Sequence, residues 1–521
     1  MSHTVIRDYG KLGVSTTPVR VNFNQTFTGP PIVHATVTAE YGGDMVYVNV
    51  TNITNTGFTV ALQENTLSGY NGLHFLEEVS WYAVSAISAS EKVGATILNT
   101  EWKQITFDSA FGSVPKVFAF VQSENGADLV YADIRNRTVS GFEMRLEEPL
   151  PYDGTHTNET VGWIAFVTHP LGTVQSGTAT GDSNWTPVSF PVAFADPPVL
   201  ISDIVTENGS DQAIVDIRNL TGTGFEFRIE EDPFTHNVAH FDETVSWMAV
   251  TRTAPSSVFE KISLNHEWTY VPFMDVFENT PYVFADVSTE SGSDTIEVDI
   301  RGVSPVGFSA RIEEDTRGGW DGTHNLIETI SITAVDPVVS PYDTGTVNLA
   351  NNDTWVPVNF GGVYAQPPNV FAMIQTEFGG DTAEIDIRNV TTTGFEIRLE
   401  EDVLLGWDGF HASEQVAWMA LDSTTPLTGQ TGRLVIDQTV AKNQVWHNVT
   451  FPSPFSAVPN VLVEINSENG GHTVQADIRN LTVGGFQVRL EEEPNIYDGT
   501  HIPETVVWFA NGNTYSITLS P

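Results

Sequence analysis

The chain has 521 residues, no cysteine, and 66 acidic side chains against 22 basic ones, for a formal net charge of -44. Such a field repels nucleic acid and anionic membrane surfaces. The missing thiols exclude disulfides, thiolate zinc sites and a cysteine nucleophile, while 40% hydrophobic residues mark a folded, salt-adapted protein and not an acidic tail.

The opening Met1-Ser2-His3-Thr4-Val5-Ile6-Arg7-Asp8 lacks the apolar core of a secretory leader. No apolar run approaches the roughly twenty residues that span a bilayer, so membrane insertion is not expected. An outside-facing protein without a leader fits a virion component released by lysis. A secreted chain whose leader has been trimmed is the alternative.

Beyond the opening, one pattern recurs. A Gly-Phe step falls at Gly57, Gly141, Gly224, Gly307, Gly394 and Gly485, and a histidine follows in phase at His74, His156, His240, His324, His411 and His501. These define six units over residues 1–88, 89–170, 171–253, 254–336, 337–424 and 425–521, and self-similarity at a fixed period sets the architecture before any single motif does. Six copies of one surface point to a binder gaining avidity, because an enzyme needs only one site.

Within a unit, a strand such as Trp102-Lys103-Gln104-Ile105-Thr106-Phe107 comes first. Phe194 with Pro197-Pro198 leads into the strand Val199-Leu200-Ile201, and the turn Glu207-Asn208-Gly209-Ser210-Asp211 follows. Next is a hairpin, and Val245-Ser246-Trp247-Met248-Ala249 closes the unit. Short β-branched and aromatic runs with this punctuation predict an all-β chain of six tandem small antiparallel β-sandwiches in an elongated array.

In the hairpin, alternation puts Ile134, Phe142, Met144 and Leu146 on the core face, and Asp133, Arg135, Glu143, Arg145 and Glu147 outside. Opposite residues share a face, so Arg135 pairs with Glu143 and Asp133 with Arg145 around a five-residue loop. Arg218/Glu226 with Asp216/Arg228, and Arg388/Glu396 with Asp386/Arg398, offer the same ladder. Ten of the sixteen arginines occupy these two positions, either as cross-strand ion pairs or as donors to sugar hydroxyls.

The loop Asp153-Gly154-Thr155-His156, followed by Glu159, is the other polar constellation. Its counterparts are Asp321/His324/Glu328, Asp408/His411/Glu414 and Asp498/His501/Glu504. These groups suit directed hydrogen bonds to a polyol, and they equally suit a capped turn whose histidine bonds the backbone. Calcium is a minor alternative, because no acid-rich loop has hand-like spacing; no cofactor is expected. Adjacent Glu147 and Glu148 on a strand face opposite ways and cannot form a glycosidase pair, and no nucleophile elbow, phosphate loop or zinc helix is present. Asn136, Asn219, Asn389 and Asn480 sit in Asn-x-Thr triplets at the hairpin turn, where such residues belong without glycosylation.

The first copy has Asn49, Thr51, Ala61 and Asn71 where the others carry charge, which fits an anchoring or oligomerising role. The fourth has Gly302 for Asn and Ile332 for the closing Trp.

The run Trp185, Phe190, Phe194, Pro197, Pro198, Val199, Gly224, Phe225, Trp247 and Ala249 resembles the H-type lectin domain. The resemblance implies six-stranded antiparallel sandwiches that often form trimers and hold galactose-type sugars with Asp, Arg and His. On that footing the turn acids Asp128, Asp211, Asp294 and Asp381, the arginines Arg145, Arg228, Arg311, Arg398 and Arg489, and the histidines His156, His240, His324, His411 and His501 are the candidate ligand contacts. The sixth copy departs with His472 at the turn position. The expected function is non-enzymatic, multivalent binding of host-surface glycans or glycoprotein by a virion appendage such as a tail fibre or capsid spike. It would be a homo-oligomer, a trimer by preference, in contact with other virion proteins. A purely structural virion spacer is the rival reading.

Overall fold

The structure, a computed structural model, describes residues 6–39, 41–42, 44–85, 91–126, 128–169, 171–209, 212–235, 239–289, 291, 296–314, 323–350, 354–379, 383–400, 411–422, 429–438, 445–470, 473–492 and 500–512. The first repeat holds β1 (Ile6–Val14), β2 (Val19–Asn22), β3 (Ile32–Ala39), β4 (Val46–Thr51), β5 (Gly57–Glu64) and β6 (Glu77–Ser85). They form two three-stranded antiparallel sheets, ordered β1-β6-β3 and β2-β5-β4. The second repeat uses β7 (Glu91–Leu98), β8 (Lys103–Thr106), β9 (Lys116–Val121), β10 (Tyr131–Thr138), β11 (Gly141–Glu147) and β12 (Glu159–Phe166) in the same way, and the pattern continues to β36 (Glu504–Asn511).

The hairpin register follows the sequence alternation. Arg135 pairs with Glu143 and Asp133 with Arg145, while Ile134, Phe142, Met144 and Leu146 are fully buried. The loop is tighter than five residues, because a bulge at Asn136-Arg137 brings Thr138 opposite Gly141. Asn136, Asn219, Asn389 and Asn480 stand there at φ near 52° (52, 53, 51 and 51), and Gly302 at 62° does the same duty in the fourth repeat. Left-handed backbone is what selects asparagine or glycine at this point of the triplet.

Between the two sheets the closing-strand tryptophan packs on two phenylalanines. Trp163 meets Phe107 and Phe142, and Trp418 meets Phe360 and Phe395. The strand opposite must make room. A Cβ on Gly94 or Gly345 would lie 2.5 or 2.8 Å from the indole it faces. The fourth repeat drops both members together, with Glu260 opposite Ile332.

Two compact units divide the chain. One takes residues up to Ala254 together with Pro272–Glu278, and the other takes Pro255–Val271 and residues from Asn279 on. In the first, a shared core joins Tyr82 and Val84 of repeat one, Phe118 and Phe166 of repeat two, and Ile201 and Met248 of repeat three. In the second, Phe284, Phe371 and Phe509 come together from repeats four, five and six.

Edge strands explain this closure. β3, β9 and β15 (Val199–Ile204) each lie at a sheet edge, where unpaired backbone groups must find partners. Gln122 takes both the N–H and the C=O of Val33, at 2.8 and 2.7 Å. Asp203 Oδ2 accepts the Ala119 N–H at 2.8 Å, and Thr36 Oγ1 accepts that of Ser202 at 3.3 Å. The contacts run from two to one, three to two and one to three, and so close a ring.

The second unit repeats the device on β21 (Tyr282–Val287), β27 (Asn369–Ile374) and β33 (Asn460–Ile465). Gln375 holds Val283 at 3.0 and 2.7 Å, Asn466 holds Val370 at 2.9 and 2.8 Å, and Asp286 accepts the Val463 N–H at 2.7 Å. The threefold association that the resemblance implied for separate chains is made here inside one chain, in each unit. Gln375→Leu leaves a buried donor and acceptor of Val283 unmet, and should destabilise the second unit by about 2–3 kcal/mol in urea unfolding. A change below about 0.5 kcal/mol would rule out the amide as a lock.

Candidate functional site

The outer sheet of repeats two to six carries a polar stack. The indole of Trp102, just before β8, lies under both arginines of the hairpin, with Arg135 at 3.8 Å and Arg145 at 4.7 Å from the ring centroid. Trp185, Trp268, Trp355 and Trp446 do the same for their own pairs. This use of the tryptophan was missed in the sequence, although each stands 33 residues before the Asp-Ile-Arg arginine in all five copies. The first copy has Pro18 and Thr51 at the two positions.

Each second arginine is flanked by carboxylates. Arg145 donates from Nε to Asp133 at 3.1 Å and from Nη2 to Glu147 at 3.0 Å. Arg228 binds Asp216 and Glu230, both at 2.7 Å, and Arg489 binds Asp477 at 2.9 Å and Glu491 at 2.7 Å. Of these second arginines, Arg145 also crosses to Glu207 of the next repeat at 3.2 Å, Arg311 to Glu377 at 3.0 Å, and Arg398 to Glu468 at 2.8 Å.

Crowding and burial of acid around one guanidinium suppress ionisation. Burial, with Glu147 beside it, pushes Asp133 up to about 8. Burial and neighbouring carboxylates raise Glu313 to about 8, Glu400 to about 9 and Glu468 to about 7. Among the described residues, Asp386, Glu400 and Glu468, and Glu297, Asp299 and Glu313, lie close enough to share a cation. In the first group Arg398 already bonds all three carboxylates, at 2.6 to 2.8 Å, and in the second Arg311 bonds Asp299 and Glu313. The guanidinium supplies the positive charge that calcium would bring.

The histidines sit elsewhere. His240, His324, His411 and His501 are buried, and the His156 side chain is 1% exposed. His156, His240, His411 and His501 lie under the glycine of the polar turn, so close that a Cβ on Gly209 or Gly470 would meet the ring at 2.8 or 2.3 Å. His240 bridges Glu231 at 2.8 Å and Glu243 at 3.3 Å, and His324 bridges Glu314 at 3.1 Å and Glu328 at 3.3 Å. Burial opposes a charge on His240, but its two glutamates outweigh that and raise its pKa.

The glutamate that opens the closing strand grips the turn as well. Glu243 accepts the Asn208 N–H at 2.6 Å, and Glu504 accepts those of Asn469 and Gly470 at 2.6 and 3.0 Å. His156 and His501 bond carbonyls instead, at Asp128 and Thr157 and at Ile502. The imidazoles therefore hold the turn from beneath, and it is the turn that delivers Glu207, Glu377 or Glu468 to the neighbouring arginine. Of the expected turn acids, Asp128 is exposed, while Asp211, Asp294 and Asp381 lie outside the described residues, as does His472.

Where three repeats meet, each unit forms a half-open cavity, of about 210 Å³ in the first and about 240 Å³ in the second. Asp133, Arg145, Glu147 and Glu207 line the first, and Asp299, Asp386, Glu468 and Arg489 line the second. Aromatic side chains also stand free near the turns: Phe75, Phe241 and Phe378 are 64%, 71% and 73% exposed.

Residues 18–84 match the model of the H-type lectin domain. The first repeat thus matches the H-type lectin domain, and the small antiparallel units repeated along the chain fit tandem copies of it. The matched repeat is the first, whose missing arginines set it apart from the other lectin-like repeats, so the domain's signature lies in the sandwich core and not in the charged ladder. Over 344 residues, 61% of its length, the array is 26% identical to "Halomucin" of Haloquadratum walsbyi (strain DSM 16790 / HBSQ001), of which it spans 4%. No solved structure matches it. The matched domain type is a lectin, the relative is a halophile's protein, and among the described residues no helix is long and apolar enough to cross a membrane.

Proposed function

We propose that the lectin-like array is a non-enzymatic, multivalent glycan-binding protein that works outside the cell in high salt. The observation that carries this reading is the arginine–glutamate contact between neighbouring repeats. It gathers Asp386, Arg398 and Glu400 of one repeat and Glu468 of the next at a partly buried junction, where Asp386 and Glu468 line the second unit's cavity. Planar groups with spare lone pairs and N–H donors suit sugar hydroxyls, and exposed rings such as Phe378 suit a sugar's C–H face. The excess of carboxylate at the same place disfavours sialylated, sulfated or uronic ligands and leaves neutral ones. Several such junctions on one chain raise avidity without any new contact.

A virion appendage and a halophile's surface protein would use the same face. The likeness to halomucin favours the second, and the domain type favours binding over a spacer role. Further self-association is not required for threefold packing, because each unit supplies its own. The test is a neutral-glycan array read in molar salt. Binding is expected, and Arg145→Ala, Arg311→Ala and Arg398→Ala combined should weaken it at least about tenfold. Silence across the array, or unchanged binding by the folded triple variant, refutes the reading.

A further inference from the structure

Besides the two acidic groupings that hold an arginine, a third lies under the polar turn of the first repeat and is built differently. One ligand-type atom each of Asp44, Glu64 and His74 lies within 4.8 Å of the others. His74 Nδ1 stands 3.2 Å from Glu64 Oε1. That matches the edge of about 3.3 Å between two ligands of a tetrahedral ion whose bonds are roughly 2.0 Å long. Glu64 and His74 are buried, while Asp44 is exposed and free to close on them.

The groups behind these atoms fix their aim. Glu64 Oε2 accepts the Gly72 N–H at 2.8 Å, which leaves Oε1 to the imidazole. Glu77 accepts the Tyr41 and Gly42 N–H groups, both at 2.7 Å, and faces His74 Nε2 at 2.9 Å. A carboxylate so placed takes the Nε2 proton and turns the Nδ1 lone pair towards Glu64, the support that a metal-ligating histidine needs. No guanidinium answers the acids here, because the first repeat has Thr51 and Ala61 at the two arginine positions. Among the described residues no lysine or arginine pairs with Asp44, Glu64 or Glu77, so one imidazole faces three carboxylates.

The neighbouring repeats point the same way. Glu148 Oε2 takes the Gly154 N–H at 3.0 Å, as Glu64 Oε2 takes that of Gly72, so Glu148 Oε1 is the counterpart of the atom that meets His74. Glu148 is 7% exposed, and that oxygen has no hydrogen-bond partner. Glu231, 3% exposed and bonded through Oε1 to His240, has an unpartnered Oε2. A buried carboxylate oxygen with no donor is costly, and a cation relieves it.

Ligand chemistry selects the ion. Calcium takes roughly six to eight oxygens and magnesium keeps several waters, whereas one imidazole nitrogen with two carboxylates suits zinc or a similar first-row ion. Asp44, His74 and Glu77 line the half-open cavity of the first unit, so an ion can reach them. We propose that Asp44, Glu64 Oε1 and His74 Nδ1 of the first repeat bind one zinc-class divalent ion, oriented by Gly72 and Glu77, with a fourth position left for water. The site rests on neither the arginine ladder nor the glycan reading.

The experiment is calorimetric titration of the chelator-stripped full chain with zinc chloride, in molar potassium chloride with excess magnesium chloride to occupy surface carboxylates. One tight, saturable zinc per chain is expected, and zinc should raise the first unit's thermal transition and leave the second's unmoved. Asp44→Asn and Glu64→Gln should each weaken binding at least about tenfold, and Glu101→Gln, at an exposed acid of the second repeat, should leave it unchanged. Zinc uptake that magnesium abolishes, wild-type affinity in Asp44→Asn, equal weakening in Glu101→Gln, or stabilisation of the second unit alone overturns the proposal. Asp44 is exposed, so its variant decides the matter if Glu64→Gln fails to fold.

Discussion

Replacing His324 with leucine should cost the second unit about 3–5 kcal/mol, the range for removing one partner from a buried charged network. The imidazole is 2% exposed and lies between Glu314, 3% exposed, and Glu328, 0% exposed. Leucine fills the space but removes both ring nitrogens, leaving two buried acids without their shared partner. Glu328 would keep the Ser291 N–H at 2.7 Å, but the turn would lose its support from below. Calorimetry of the full chain should show one transition falling by roughly 10 °C and the other unmoved. A shift of less than about 2 °C would mean that the histidine is not what pins the turn.

Stability should peak in mildly acidic solution and fall as the pH rises through the range 7 to 9, most steeply at low salt. The sign follows from the raised carboxyls. Asp133 and Glu313 at about 8, Glu400 at about 9 and Glu468 at about 7 bind protons in the folded state that the unfolded chain has released. Their contribution is complete below the unfolded value near 4 and is lost as pH climbs through the folded values. His74 and His240, also raised, add to the same loss. In the other direction, Glu78, Glu91 and Glu243 are held low by their cationic and N–H partners against burial, so acid below their ordinary range removes stability again. The alkaline loss should amount to about 1–2 kcal/mol per unit once solvent screening is allowed for, and molar salt should recover part of it. Stability that rises steadily from pH 6 to 9 in urea titrations would contradict this account.

Much of one repeat could be read from the chain because its signals are local. Alternation through Ile134 and through Phe142, Met144 and Leu146 admits one register, and a one-residue slip would bury Asp133 and Arg145. The histidine could not be read in the same way. Asp153-Gly154-Thr155-His156 looks alike as an exposed loop or as a pinned turn, and the glutamates that decide the matter, such as Glu231 and Glu243 for His240, come from two different strands. Gln122, Gln375 and Asn466 each follow an apolar strand, where a polar residue reads as the start of a turn. Their partners lie 89, 92 and 96 residues away, so nothing nearby hints at the ring.

Three identical subunits around an axis must place the same side chain there three times. A single chain that closes on itself is free of that rule, and here Thr36, Phe120 and Asp203 meet as unlike neighbours. The arrangement can host a guest that has no symmetry of its own, and it cannot fall apart on dilution, whatever the volume of brine around it.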